Sequence, residues 1–146
     1  MKKKLFKKEA VRRKLANMKD YLKELETLSK RDLEEYLGNF EYRRAVERLI
    51  QVIVETAVDC NNLIVISLGE RPPIGYKESF LKLAKLEVIS PEFASSMIPF
   101  VSLRNRIVHE YEEIKDELVF VSIRQILKEF TKYQKMVAKF ISKGNI

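Results

Sequence analysis

The chain has 146 residues, 46% hydrophobic and 34% charged, and carries a net charge of +7 at neutral pH. That length fits one domain spanning residues 1–146, and the balance of apolar and charged residues excludes a disordered chain. The excess of positive charge points to a negatively charged partner, of which nucleic acid is the commonest; abundant lysine and glutamate also mark heat-adapted proteins.

No apolar run approaches the roughly 20 residues that a membrane helix needs, so no membrane partner is expected. The start, Met1-Lys2-Lys3-Lys4-Leu5-Phe6-Lys7-Lys8-Glu9, is positive like a signal peptide, but charge returns after two apolar residues. No cleavage site follows, and the expected location is cytoplasmic. A single cysteine, Cys60, cannot close an intrachain disulfide, and with one histidine a structural zinc is excluded. Neither a cofactor nor a metal is expected.

With only four glycines and four prolines, the composition leans towards helix. Over residues 5–28, Val11, Leu15, Met18, Leu22, Leu25 and Leu28 recur every three or four positions, which predicts a basic amphipathic helix. Ser29, with Asp32 three residues on, reads as a helix start, and Gly38 suits a left-handed residue after a helix end, so residues 30–37 are expected to form a turn or two. Asn39 is the expected cap of a long helix over residues 40–68, whose stripe is Val46, Leu49, Ile50, Ile53, Ala57, Cys60 and Ile64. Cys60 lies on that stripe and reads as a small core residue.

Pro72 and Pro73, between Gly69 and Gly75, stop the helix in the main loop of the domain. A short helix over residues 76–86 carries Phe80, Leu83 and Leu86 on one side. Ser90-Pro91-Glu92 starts the next, with a hydroxyl cap, proline in the first turn and an early acid; it is expected to reach residue 112 and to bend near Pro99. Asp116 is the expected cap of the last helix, whose stripe is Val119, Ile123, Ile126, Leu127, Phe130, Tyr133, Val137 and Phe140. The predicted fold class is all-α, an antiparallel up-down helical bundle of four to five helices.

Chemistry concentrates in Ser102-Leu103-Arg104-Asn105-Arg106-Ile107-Val108-His109-Glu110-Tyr111, which holds the only histidine. At about 100° per residue, Arg104, Val108 and Tyr111 share one line of a helix and Asn105 and His109 another. Arginine grips phosphate oxygens bidentately, and histidine moves protons near neutral pH. Together they are sufficient to cleave RNA without a metal: the ribose 2′-hydroxyl attacks the adjacent phosphate, histidine is general acid or base, and arginine stabilises the charge developing on phosphorus. On spacing alone, a lone histidine beside a bundle interface is more often a hydrogen-bonded structural residue.

Arginine, asparagine, three residues, histidine, any residue and tyrosine form the motif of the HEPN superfamily, and the chain resembles its HepT-type toxins. The likeness extends to the arginine-rich opening of the long helix, the acid in Val58-Asp59-Cys60, the proline loop followed by Gly75-Tyr76-Lys77-Glu78-Ser79-Phe80, and Ile114-Lys115-Asp116 after the motif. It covers about residues 40–140. The resemblance implies an all-helical homodimer in which Arg104 and His109 of both subunits line one cleft and cut RNA, as a metal-independent endoribonuclease toxin. It also implies a partner, a minimal nucleotidyltransferase antitoxin, that adenylylates Tyr111. A bulky anion on the Arg104 line would then occupy the phosphate groove. Asn105 is expected to orient His109 or touch phosphate, and Asp59 is a candidate support for Arg104 or His109.

Two features depart from the family pattern: Asn61-Asn62 stands where a histidine is common, and Pro99 is additional. Two other function classes remain open. One is a non-catalytic helical dimer that binds a nucleotidyltransferase partner or nucleotides. The other is an RNA-binding helical module using the run Lys2, Lys3, Lys4, Lys7, Lys8, Arg12, Arg13 and Lys14.

Overall fold

In the computed structural model, residues 2–109 and 114–144 are described, and they form six helices without strands. These are α1 (Lys2–Ser29), α2 (Leu33–Gly38), α3 (Phe40–Ser67), α4 (Tyr76–Lys85), α5 (Pro91–Val108) and α6 (Asp116–Ser142). The all-α bundle matches expectation, with the short α2 as its sixth helix.

α3 is the axis and packs against each of the other five helices. By length and composition it is apolar enough to cross a membrane, against the expectation that no segment is. Val46, Ile50, Ile53, Val54, Ala57, Cys60, Ile64 and Val65 of this helix are buried within the bundle. α1 runs antiparallel to it: the Tyr42 hydroxyl donates to the Leu28 carbonyl near one end, and Lys14 pairs with Asp59 towards the other. Val11, Met18, Leu22 and Leu25 supply the buried face of α1. α6 runs parallel to α3, since Arg43 approaches Asp116 while Tyr133 reaches Ala57 and Asn61.

Several helix ends follow their local chemistry. Asn39 Oδ1 accepts from Tyr42 N at 3.1 Å, and Ser90 Oγ accepts from Phe93 N at 3.1 Å, so both expected caps form. Gly69, at φ 81°, donates to Ile66 O while Glu70 donates to Val65 O. That pair of bonds closes α3 with a left-handed residue and lets the chain turn into the proline loop.

Other ends differ. Asp32 rather than Ser29 caps α2, accepting from Glu35 N at 2.8 Å, whereas Ser29 ends α1 and donates to Glu26 O. Gly38 is the last residue of α2 and is not left-handed; Arg43 donates to the carbonyls of Tyr36 and Leu37 and satisfies that end instead. Asp116 is the first helical residue of α6 after Lys115, which offers no side-chain cap. α5 passes through Pro99 as one helix but stops at Val108, four residues before the expected end.

Candidate functional site around Arg104

Arg104 lies four residues before the end of α5, on the side facing α3 and the start of α4. Its side chain is only 16% exposed, and three elements hold the guanidinium. Nη2 donates to Glu55 Oε1 of α3 at 3.2 Å, and Nη1 donates to Asn105 Oδ1 at 3.2 Å. Its Cζ lies over the Tyr76 ring of α4, 4.4 Å from the ring centroid. Glu55 is itself steadied from the preceding turn by Gln51 Nε2, which donates to its Oε1 at 2.9 Å. Two hydrogen bonds and one ring contact therefore meet the guanidinium from three elements.

One donor is left over. Arg104 Nε is buried and has no hydrogen-bond partner among the described residues. A buried N–H without an acceptor costs about 1–3 kcal/mol and calls for an explanation. A cavity of about 360 Å³ opens beside the group, lined by Ile74, Gly75, Tyr76, Lys77, Glu78, Val101, Arg104 and Asn105. Gly75, at φ 93°, takes the left-handed turn that brings Tyr76 under the arginine, and Glu78 Oε2 accepts from Ile74 N at 2.9 Å to hold the loop.

His109 is exposed and sits just beyond the helix as its cap, with φ −92° and ψ 95°. Its backbone N–H still donates to Asn105 O at 3.0 Å. Asn105 bonds to Arg104 through its side chain and to His109 through its carbonyl, so it links the two. Tyr111 lies outside the described residues.

Asp59 pairs with Lys14 of α1 at 3.1 Å, and the acid that meets Arg104 is Glu55, one turn earlier on α3. Neither Glu55 nor Tyr76 stands out in the sequence as a site residue. Glu55 sits off the apolar stripe among other charges, and the one signal for Tyr76 is its place directly after the proline loop. Cys60 is buried as expected, and burial, reinforced by nearby Asp59, pushes its thiol up to about 12. Among the described residues no three His, Cys, Asp or Glu side chains are grouped as metal ligands.

Residues 18–137 match the family described as Ribonuclease HepT-like. The chain is 34% identical over 122 residues to a protein named tRNA nuclease HepT from Aphanizomenon flos-aquae, a match covering 84% of this chain and 81% of that protein. Its fold is similar to a tri-AMPylated Shewanella oneidensis HEPN toxin solved in complex with MNT antitoxin, at TM-score 0.82 and 22% identity over 88% of this chain and 96% of that one. It is also similar to YutE of Bacillus subtilis, a cytosolic protein of unknown function, at TM-score 0.75 and 14% identity over 91% of this chain and 92% of that one. At these identities the structural likenesses speak for the fold. The extent of the family match and the identity to the nuclease show that the chain belongs to the HepT-like ribonuclease family.

Proposed function

We propose that this protein is the ribonuclease toxin of a toxin–antitoxin pair and cuts RNA without a metal, with Arg104 and His109 as catalytic residues and Asn105 linking them. The observation that carries the reading is the arginine of the family motif, held in advance by Glu55, Asn105 and Tyr76 beside an open cavity, with an unpartnered N–H left on it. A charge fixed before the substrate arrives stabilises a transition state without reorganising during the reaction.

In the proposed reaction, histidine takes the proton from the ribose 2′-hydroxyl, the 2′-oxygen forms a bond to the adjacent phosphorus, and the bond from phosphorus to the 5′-oxygen breaks. That oxygen leaves with a proton, giving a 2′,3′-cyclic phosphate and a 5′-hydroxyl. Arg104 neutralises the charge on the phosphorane oxygens. One subunit has a single histidine, so the second proton transfer falls to His109 of a second copy facing the first in a homodimer. Because a relative bears the name tRNA nuclease, tRNA is the first substrate to try.

Regulation belongs to the same proposal: a minimal nucleotidyltransferase antitoxin adenylylates Tyr111, and the added anion blocks the phosphate groove beside Arg104. The solved complex of an AMPylated relative with its antitoxin motivates this step. It also keeps alive the alternative of a non-catalytic helical dimer whose role is to bind such a partner. The purified protein is incubated with tRNA in EDTA beside His109→Ala and Arg104→Ala. Cleavage by the parent that both variants lose is expected; cleavage that survives both overturns the assignment. Absence of cleavage by the parent, with a stable partner complex retained by His109→Ala, supports the alternative. Intact mass after incubation with the antitoxin and ATP is expected to rise by adenylyl groups in the parent and not in Tyr111→Phe.

A further inference from the structure

A buried polar chain runs across the bundle to the underside of Arg104. The Tyr133 hydroxyl of α6 lies against Ala57 O and Asn61 Oδ1 of α3. Asn61 Nδ2 donates to Ser79 Oγ of α4 at 3.0 Å, and Ser79 Oγ donates to Tyr76 O at 2.7 Å. Asn61, Ser79 and Tyr133 are fully buried. Polar groups this deep hold a unique geometry when every member is satisfied. The end of the chain is the backbone of Tyr76, whose ring supports the guanidinium.

We propose that Tyr76 is a positioning residue for Arg104: its ring sets the tilt of the guanidinium plane, and the Tyr133–Asn61–Ser79 relay anchors the helical turn from which the ring projects. This rests on the proposed function for its consequence in catalysis, but the placement of Arg104 can be read without any cleavage. The two bonds from Glu55 and Asn105 lie at the guanidinium edge and leave rotation about the line joining them unrestrained. A ring with the guanidinium carbon 4.4 Å over its centroid limits that freedom, and an arginine over an aromatic face is favoured electrostatically as well as by packing. In this proposal Tyr76 acts through the arginine.

The full-length protein is compared with Tyr76→Phe, which keeps the ring, and Tyr76→Leu, which keeps apolar bulk without it. The first readout is the Arg104 Nε–Hε NMR signal, assigned by its loss in Arg104→Lys and displaced in the parent by the ring current of Tyr76. It is expected to stay in place in Tyr76→Phe and to move towards the position of an unconstrained arginine in Tyr76→Leu, with melting curves confirming that both variants are folded. The second readout is cleavage of tRNA: Tyr76→Leu is expected to lose about tenfold in kcat, between the values for an exposed and a desolvated cation–π contact, with KM nearly unchanged. Tyr76→Phe stays close to the parent. An Arg104 signal unmoved in folded Tyr76→Leu overturns the proposal, as does equal loss of kcat in the Phe and Leu variants. If the parent cleaves no RNA, the functional reading fails and the NMR signal alone decides the placement.

Discussion

Replacing Glu55 is the sharpest perturbation of the site, because it is the sole carboxylate bonded to Arg104 among the described residues. The pair is neither exposed nor fully buried: the side chains are 16% and 27% exposed, with a separation of 3.2 Å. An exposed pair contributes about 0–1 kcal/mol, and breaking a buried one by removing one partner costs about 3–5 kcal/mol. Glu55→Ala should fall between, at about 2 kcal/mol. Glu55→Gln keeps an acceptor oxygen and loses only the charge-assisted part of the bond, about 1 kcal/mol. For a chain of this size each kcal/mol lowers Tm by about 2–4 °C. Cleavage should respond in a different pattern. Freed from its carboxylate, the guanidinium binds phosphate at least as well but in a less defined orientation, so kcat falls while KM stays level or drops. Thermal melting and single-turnover cleavage of labelled tRNA measure both quantities. An unchanged kcat in Glu55→Ala, beside an inactive Arg104→Ala, would refute the idea that the carboxylate aligns the arginine.

Three further outcomes test the scaffold. Tyr133→Phe removes the hydroxyl that lies against Asn61 Oδ1 and leaves that oxygen buried, so chemical denaturation should show a loss of about 1–3 kcal/mol; no loss would mean that water or repacking satisfies the amide. Glu87 ends α4 at φ 61°, donating to Ala84 O while Val88 donates to Leu83 O. Glu87→Gly should therefore raise Tm through a net gain of about 0.5–1 kcal/mol, the relieved left-handed strain less the added entropy of the unfolded chain; a lower Tm would contradict that account. At alkaline pH, burial raises the Cys60 thiol from 9.0 to about 12, and burial also raises the hydroxyls of Tyr36 and Tyr133. These groups lose their protons first in the unfolded chain, so their stabilising effect is full below about pH 9 and declines as pH rises towards the folded values. The decline reaches about 1.4 kcal/mol per pH unit for each group in its window. Denaturation series from pH 7 to 11 should show it, and a flat profile above pH 9 would refute it.

What the sequence carried and what it did not divide along physical lines. Caps such as Asn39 and Ser90, and the proline loop between Gly69 and Gly75, depend on bonds within a few residues, and those were legible. The end of α5 was not, since no glycine or proline follows Arg104 before the helix stops at Val108. The identity of the supporting acid was hidden too. Glu55 and Asp59 lie one turn apart and project to nearly the same side of α3. Which one meets Arg104 depends on where α5 passes α3, and Lys14 of α1 takes the other. Neither crossing point is encoded in local periodicity. Tyr76 is a stronger case, because a tyrosine after a glycine carries no sign that its ring will lie beneath an arginine 28 positions downstream.

Arg104 and His109 stand in different environments, and that asymmetry bears on how the site would work. Arg104 is largely enclosed and held from three helices, so its charge is in place before any substrate arrives. Holding it there requires Glu55, which lowers the cost of enclosing a cation but also competes with phosphate for the same donors. The buried Nε suggests how the competition resolves: an incoming phosphate oxygen that reaches it gains a bond without taking Glu55's place on Nη2. His109, by contrast, lies past the end of α5 on extended backbone and is tied to the helix through the Asn105 carbonyl. A phosphate grip that lost its fixed placement would lose its stabilising effect on the transition state. Rigidity should therefore matter at Arg104. Loosening Glu55 or Tyr76 is expected to slow the chemical step while leaving its pH dependence unchanged, because neither change alters His109, the group proposed to move the proton.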